Sequence, residues 1–248
     1  MEINKIKTSY KVYYKDETVS TNIDAMKSET AADKSVFIAE KQTGGKGSRG
    51  RSWVSDEGDG IWMSILLIPK LPLSDIPKIT PCAGLAVCSA LLKNGCDAGI
   101  KWPNDIIINS KKVCGILTEK KGEKVVVGIG INVNTELFDA ELCEKATSLY
   151  IETGRRAERE KLISDILAEF ERFYCLLCRN GFSALKKSYA EYSVILGKKV
   201  KVLQPCEEYE AYAVEIGDNG ELIVERNGKK ISLCSGEVSV RGINGYVS

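Results

Sequence analysis

Apolar residues come in short bursts along the first two thirds of the chain. VYY at 12–14 and VFIAE at 36–40 predict strands, and the longer run from Gly60 to Ile68 predicts one buried on both faces. Between the first two bursts, Ser20-Thr21-Asn22 opens a helical pattern that runs to about Ala32, with Ser20 or Thr21 placed to cap it. Pro81 starts a second helix through Leu92 that ends near Gly95. IKWPNDIIIN, KKVCGILTEK and KVVVGIGINVN follow, the last two predicted as buried strands joined by a turn at Lys121-Gly122. From about Arg156 to Arg179, Leu162, Ile163, Ile166, Leu167, Phe170, Phe173, Tyr174 and Leu177 trace one face of a long helix.

The pattern changes near Ile195. KVKVL, AYAVEI, ELIV, ISLC and VSVRG alternate with Asn-Gly and Gly-Lys turns, which predicts a compact all-β module. The expected organisation is an α/β or α+β domain over residues 1–194, followed by a small barrel over 195–248.

Composition narrows the chemistry. Lys and Arg number 35 against 34 Asp and Glu, so no general polyanion binder is expected and any anion must meet a local cationic cluster. No apolar run approaches a bilayer span and no signal-peptide segment opens the chain, so a cytoplasmic protein that does not engage membranes is expected. The nine cysteines are odd in number, and Cys82, Cys88, Cys114 and Cys234 sit in apolar stretches, which predicts reduced, packed thiols. Cys175 and Cys178 have C-x-x-C spacing but lie in the long helical pattern without a second pair. Histidine is absent. That removes Ser-His-Asp and Cys-His nucleophiles, His-based zinc sites and any imidazole base.

Three segments carry candidate chemistry. QTGGKGSRGRSW, Gln42 to Trp53, combines four glycines with Lys46, Arg49 and Arg51. Glycines let successive N–H groups converge on an oxyanion, and the basic residues add charge. Its spacing fits neither the P-loop nor the dinucleotide fingerprint. Taken alone, the segment reads as a phosphate cradle, a mobile loop or a nucleic-acid patch. KWPND at 101–105 holds Lys101 and Asp105 near a strand end, either around a lysine that follows a substrate carboxylate as it becomes an acyl phosphate or as a plain turn. GIGIN at 128–132 ends a predicted strand in glycines, and Asn132 faces a base, a phosphate or only its own turn. Polar glycine-rich segments after buried strands, positive charge and no base suit adenylation. Two anions must be screened and held in line there, with no proton to abstract.

STN at 20–22, QTGGKGSRGRSW, KWPND, KVCGIL at 112–117, GIGINVN at 128–134 and SGEVSVRG at 235–242 occur together in the order found in biotin–protein ligases. The chain resembles the short form of that family, without an N-terminal DNA-binding domain. Only 19 residues precede Ser20, too few for a helix-turn-helix, so repression and nucleic-acid binding are not expected. The resemblance implies a mixed β-sheet flanked by helices, of the class II aminoacyl-tRNA-synthetase and biotin-ligase kind, plus a C-terminal SH3-like barrel. It also implies two steps, in which biotin and ATP give biotinyl-5′-AMP and the biotinyl group then acylates one lysine of a biotin carboxyl carrier domain.

By the same resemblance, Ser20, Thr21, Asn22 and Gln42 bind biotin. Lys46, Gly47 and Ser48 belong to the loop that closes over it, and Lys101 grips the carboxylate and phosphate. Gly45, Lys46, Arg49, Arg51, Lys101, Asn104, Lys112, Gly115, Asn132 and Arg241 form the ATP and adenylate side. Lys101, Asp105 and Lys112 are the catalytic candidates, and Mg²⁺ enters with ATP, near Asp105. Relatives that dimerise through the catalytic sheet make a homodimer an option. The loop departs from the family's G-R-G-R, because Gly45-Lys46-Gly47-Ser48 replaces one bidentate fork by an ammonium and another by a hydroxyl. The nearest rival, a lipoate–protein ligase, usually carries a different lysine motif from KWPND.

Overall fold

The computed structural model describes residues 1–204, 207–235, 239–243 and 246–247, apart from the side chain of Arg49. Seven strands form a mixed sheet: β1 (Lys11–Thr18), β2 (Ser35–Gln42), β3 (Gly60–Leu67), β4 (Gly99–Lys101), β5 (Asp105–Ile108), β6 (Lys111–Lys121) and β7 (Lys124–Asn132). They lie in the order β1-β2-β3-β7-β6-β5-β4, with β1 and β2 parallel and the other neighbours antiparallel. The turn between β6 and β7 holds Gly122 at φ +60°, a backbone that favours glycine.

Helices cover both faces. α1 (Thr21–Lys27) packs on one, over Phe37, Leu66 and Val126. α2 (Ile79–Lys93), α4 (Arg159–Asn180) and α5 (Ser183–Tyr192) pack on the other, where the main core gathers Val125, Val127, Ile129 and Ile131 from alternate positions of β7. A short α3 (Leu149–Thr153) is capped by Ser148, whose Oγ accepts the Ile151 N–H. Val126, Gly128 and Gly130 share the opposite register of β7, the α1 face, which is where the candidate site lies.

A second sheet of β8 (Lys199–Leu203), β9 (Glu208–Ile216), β10 (Leu222–Arg226), β11 (Lys229–Leu233) and β12 (Ser239–Gly242) is wholly antiparallel, ordered β11-β10-β9-β8-β12. It is consistent with the SH3-like module. Trp102 ties it to the first sheet, donating its indole N–H to the Gly220 carbonyl at 2.9 Å.

Four expectations need correction. α1 stops at Lys27, not near Ala32. Lys124 reaches across from β7 to the Met26 and Ser28 carbonyls, and Ser28 Oγ accepts the Ala31 N–H, which turns the chain. Ser20 occupies the N-cap position but makes no capping hydrogen bond; Gln42 takes the Thr21 N–H instead. The helical stretch Leu73–Lys93 is, by length and composition, apolar enough to cross a bilayer, but most of it is buried inside the fold and its apolar character serves the core. Cys234 is exposed. Cys82, Cys88, Cys96 and Cys114 are buried free thiols, and burial raises each one's pKa.

Candidate active site

A polar slot opens on the α1 face. Ser20, Thr21 and Asn22 at the start of α1 face Gln42 at the end of β2, above the glycines of β6 and β7. Gln42 Oε1 accepts from Thr21 N (2.9 Å) and Thr21 Oγ1 (3.1 Å), while its Nε2 donates to Ser55 Oγ (2.9 Å). Buried Ser64 lies within hydrogen-bond distance of Thr21 Oγ1 (2.7 Å) and Asn22 Oδ1 (2.6 Å), and Asn22 Nδ2 donates to Glu119 (2.7 Å). The polar wall is therefore held rigidly by groups that sequence reasoning missed, Ser64, Ser55 and Glu119. Alternation within β3 put Ser64 on this face, but nothing local in the sequence paired it with α1.

Gly115, Gly128 and Gly130 lie within strands, so GIGIN is not a loop after a strand. Their role is clearance. A Cβ at Gly128 would stand 2.2 Å from Asn22 Oδ1, one at Gly130 2.7 Å from Trp53 Nε1, and one at Gly115 2.8 Å from the Trp53 ring.

The Gln42–Trp53 segment folds as a hairpin over the slot. Lys46 and Ser52 form an antiparallel bridge, Gly47 N–H donates to Arg51 O (2.7 Å), and Trp53 N–H donates to Gly45 O (2.9 Å). Gly45 does not line the slot. A side chain there would run into the Trp53 carbonyl at 2.4 Å, so this glycine shapes the hairpin. Ser48 sits at the tip, where Arg51 Nη2 donates to its hydroxyl (3.0 Å) and Arg51 Nε to its carbonyl (3.2 Å). The Trp53 indole is laid on the strand glycines and leaves a cavity of about 40 Å³ beneath. Its indole N–H is buried without an acceptor among the described residues.

A larger cavity of about 500 Å³ adjoins the slot, and the two share Ser48, Asn104, Ile116 and Leu117. Lys101, Asp105, Arg51 and Arg241 line it, with Tyr246 from the C-terminal segment. The KWPND turn carrying Lys101 has a cis Trp102–Pro103 peptide and is gripped from two sides. Tyr189 of α5 donates to the Pro103 carbonyl at 3.2 Å, and Trp102 reaches the second sheet as described above. Asn104 Nδ2 donates to Ile116 O at 2.7 Å, joining the turn to β6.

Lys112 arrives through a bulge. Ile106 pairs with Cys114 and Ile107 with Lys112, so Val113 is the extra residue and Lys112 comes round beside Gly115. There its ammonium meets Asp105 Oδ1 at 2.5 Å and lies 5.1 Å from the centre of the Trp53 ring.

Electrostatics set the lysines apart. Lys101 is 4% exposed and forms no ion pair or hydrogen bond among the described residues; its Nζ rests 3.3 Å from the Tyr246 ring centre. Burial lowers its pKa to about 8, with Lys112, Arg241 and Arg51 adding to the effect against the opposing charge of Asp105. Burial also works against ionisation of Asp105, but the Lys112 and Lys101 charges and hydrogen bonds from Lys112 and Tyr246 outweigh it and hold this carboxylate below its ordinary range.

One sequence candidate lies apart from this assembly. Asn132 lines neither cavity, and its amide donates to Thr147 O at 3.1 Å, tying β7 to the segment before α3. The Arg49 side chain and residues 236–238 of SGEVSVRG lie outside the described residues.

A rigid polar slot, a lid hairpin and a neighbouring cationic cavity with an unpaired buried lysine define a ligase-type site, built to bring two anions together on one face of a mixed sheet. The family comparison agrees. The chain belongs to the biotin/lipoate A/B protein ligase family, whose model matches residues 11–136. It is 37% identical over 224 residues to the bifunctional ligase/repressor BirA of Bacillus subtilis, covering 86% of this chain and 69% of that protein. With the biotin–[acetyl-CoA-carboxylase] ligase of Mycobacterium tuberculosis it shares 31% over 232 residues, 90% of this chain and 86% of the other. Among solved structures, the biotin protein ligase of Aquifex aeolicus in complex with biotin and ATP superposes with a TM-score of 0.86 at 30% identity, covering 94% of this chain and 99% of that one.

Proposed function

We infer that this chain is a biotin–protein ligase, activating biotin with ATP and passing the biotinyl group to a lysine of a carboxylase carrier domain. The observation that carries the reading is Lys101, a buried ammonium without an ion-pair partner among the described residues, at the wall of the larger cavity beside the polar slot. Biotin's fused ring system has a polar ureido group, and the slot offers hydroxyl and amide groups to it. The Trp53 indole N–H lacks an acceptor among the described residues, and a ligand beneath the lid would supply one.

In the first step a biotin carboxylate oxygen attacks the α-phosphorus of ATP, the bond to the bridging oxygen breaks, and pyrophosphate leaves. Lys101 screens the approach of the two anions and follows the charge that builds on the α-phosphate. Arg51, Arg241 and Lys112 face the remaining phosphates. In the second step the carrier lysine's amine attacks the acyl carbonyl and AMP leaves, taking the bonding electrons. The described residues contain no cluster of three metal-ligating side chains, and both oxygens of Asp105 are engaged, so Mg²⁺ fits this site as a passenger on the ATP phosphates. The buried free thiols suit a reducing compartment, in keeping with cytoplasmic action.

The test is incubation of the purified protein with ATP, a free carrier domain and either biotin or lipoate. Biotin-dependent pyrophosphate release and a biotinylated carrier are expected; a carrier loaded with lipoate but not biotin overturns the reading.

Arg51 organises Ser48 at the hairpin tip. Ser48→Ala is expected to leave adenylate formation within about threefold, since no reacting group depends on the hydroxyl. It is also expected to speed escape of biotinyl-5′-AMP, because one of the two Arg51 side-chain bonds at the hairpin tip is lost. Single-turnover formation and filter-bound release separate the two effects. A hundredfold loss in formation would assign Ser48 to the chemistry.

A further inference from the structure

Lys101 and Asp105 stand directly opposite each other across the β4–β5 pair. Directly opposed residues in an antiparallel pair have neighbouring Cβ atoms, and a lysine facing an aspartate there ordinarily closes an ion pair. Here they do not pair. One Asp105 oxygen takes Lys112 at 2.5 Å, the other takes the Tyr246 hydroxyl at 2.5 Å, and the Tyr246 ring covers the Lys101 ammonium at 3.3 Å. Tyr246 comes from beyond β12, far from these strands in sequence, and touches both partners at once.

We propose that Tyr246 is a positioning residue that keeps Lys101 available for substrate. Its ring gives the buried cation a non-neutralising partner, and its hydroxyl holds Asp105 away from it. An aromatic face attracts an ammonium without cancelling its charge or occupying its N–H donors, whereas a carboxylate does both. Without Tyr246, the Asp105 oxygen it holds is released and Lys101 collapses onto it, leaving the reacting phosphate to compete with an internal anion. The other charges facing Lys101 are Lys112 from β6, Arg51 from the hairpin and Arg241 from β12. All three are cations, so among these charges on the described residues Asp105 is the anion acting on Lys101.

The proposal rests on the ligase reading only for the role of Lys101. Its test is arranged so that the two fail separately. The Lys101 titration is followed in the unliganded protein by NMR of the lysine side chain, in wild type, Tyr246→Phe and Tyr246→Ala, and the pH dependence of biotin-driven pyrophosphate release is measured on the same proteins. The wild-type midpoint is expected near pH 8. Tyr246→Ala is expected to move it up by about one unit or more, since a new ion pair favours the charged form. The alkaline limb of the rate profile moves with it, and kcat for adenylate formation falls about tenfold, with the biotin KM changed less than about threefold.

Tyr246→Phe keeps the ring and the packing, guards against misfolding, and is expected to shift the midpoint in the same direction by less. A midpoint unmoved in both variants overturns the proposal, whatever the activities. A wild type that makes no biotinyl-5′-AMP while the midpoints still move overturns the ligase reading and leaves the positioning role standing.

Discussion

Lys101→Met is expected to reduce adenylate formation about 10³-fold and, in the same protein, to raise thermal stability. The loss follows from removing a preorganised cation from a site where charge develops on the α-phosphate, an effect of roughly 10²- to 10⁵-fold in comparable arrangements. The gain follows from burial. Lys101 is held near 8 against an ordinary 10.5, so the folded state binds its proton less tightly than the unfolded chain. This depressed value makes Lys101 a liability whose cost is fully present below about pH 8 and disappears as pH rises towards 10.5. The shift corresponds to about 3 kcal/mol at most. That figure already includes the Tyr246 contact, and repacking around methionine gives back roughly 1–2 kcal/mol of it. Methionine, of similar length and without charge, therefore leaves a net gain of about 1 kcal/mol at neutral pH, or roughly 2–4 °C in Tm. Melting curves across pH check the sign, because the advantage over wild type should shrink above pH 8. An inactive variant that melts below wild type at pH 7 would refute this account of Lys101.

Gly128→Ala is the second large effect, and it acts on biotin alone. The added methyl would stand 2.2 Å from Asn22 Oδ1. Side-chain ends usually move aside, but this one is fixed by Ser64 at 2.6 Å and Glu119 at 2.7 Å, and it stands beside Thr21, which Gln42 holds. Displacing it breaks one or two buried hydrogen bonds, each worth about 1–3 kcal/mol when a partner is left unsatisfied. Biotin affinity is expected to fall about 10- to 100-fold, with ATP binding unchanged, as read by calorimetry with each ligand separately. Biotin affinity within threefold of wild type would show that the Asn22 wall is softer than its hydrogen bonds imply.

The strands and the long helices were legible because their signals are local. Alternation in KVVVGIGIN puts Val125, Val127, Ile129 and Ile131 on one face, and that face became the core. The same alternation puts Gly128 and Gly130 on the other, yet no local rule told a strand glycine that clears space from one that ends a strand. α5 escaped notice because its ten residues bury only Leu185 and Tyr189, too few for a clear period. α1 was overextended because its end depends on Lys124, about a hundred residues away.

The candidate site divides in the same way. KWPND, the glycine-basic hairpin and the absence of histidine pointed to charge screening without an imidazole base, since residue types and short spacings carry that information directly. Lys112 was named, but the bulge at Val113 that brings it beside Gly115 is a register property of two paired strands. Ser64, Glu119 and Tyr246 gave no signal, because each acts through a partner more than forty positions away. A chain can state locally which chemistry is available and which segments will be strands. Whether a buried lysine meets a carboxylate or an aromatic ring depends on contacts between distant segments, and those exist only once the two sheets have packed together.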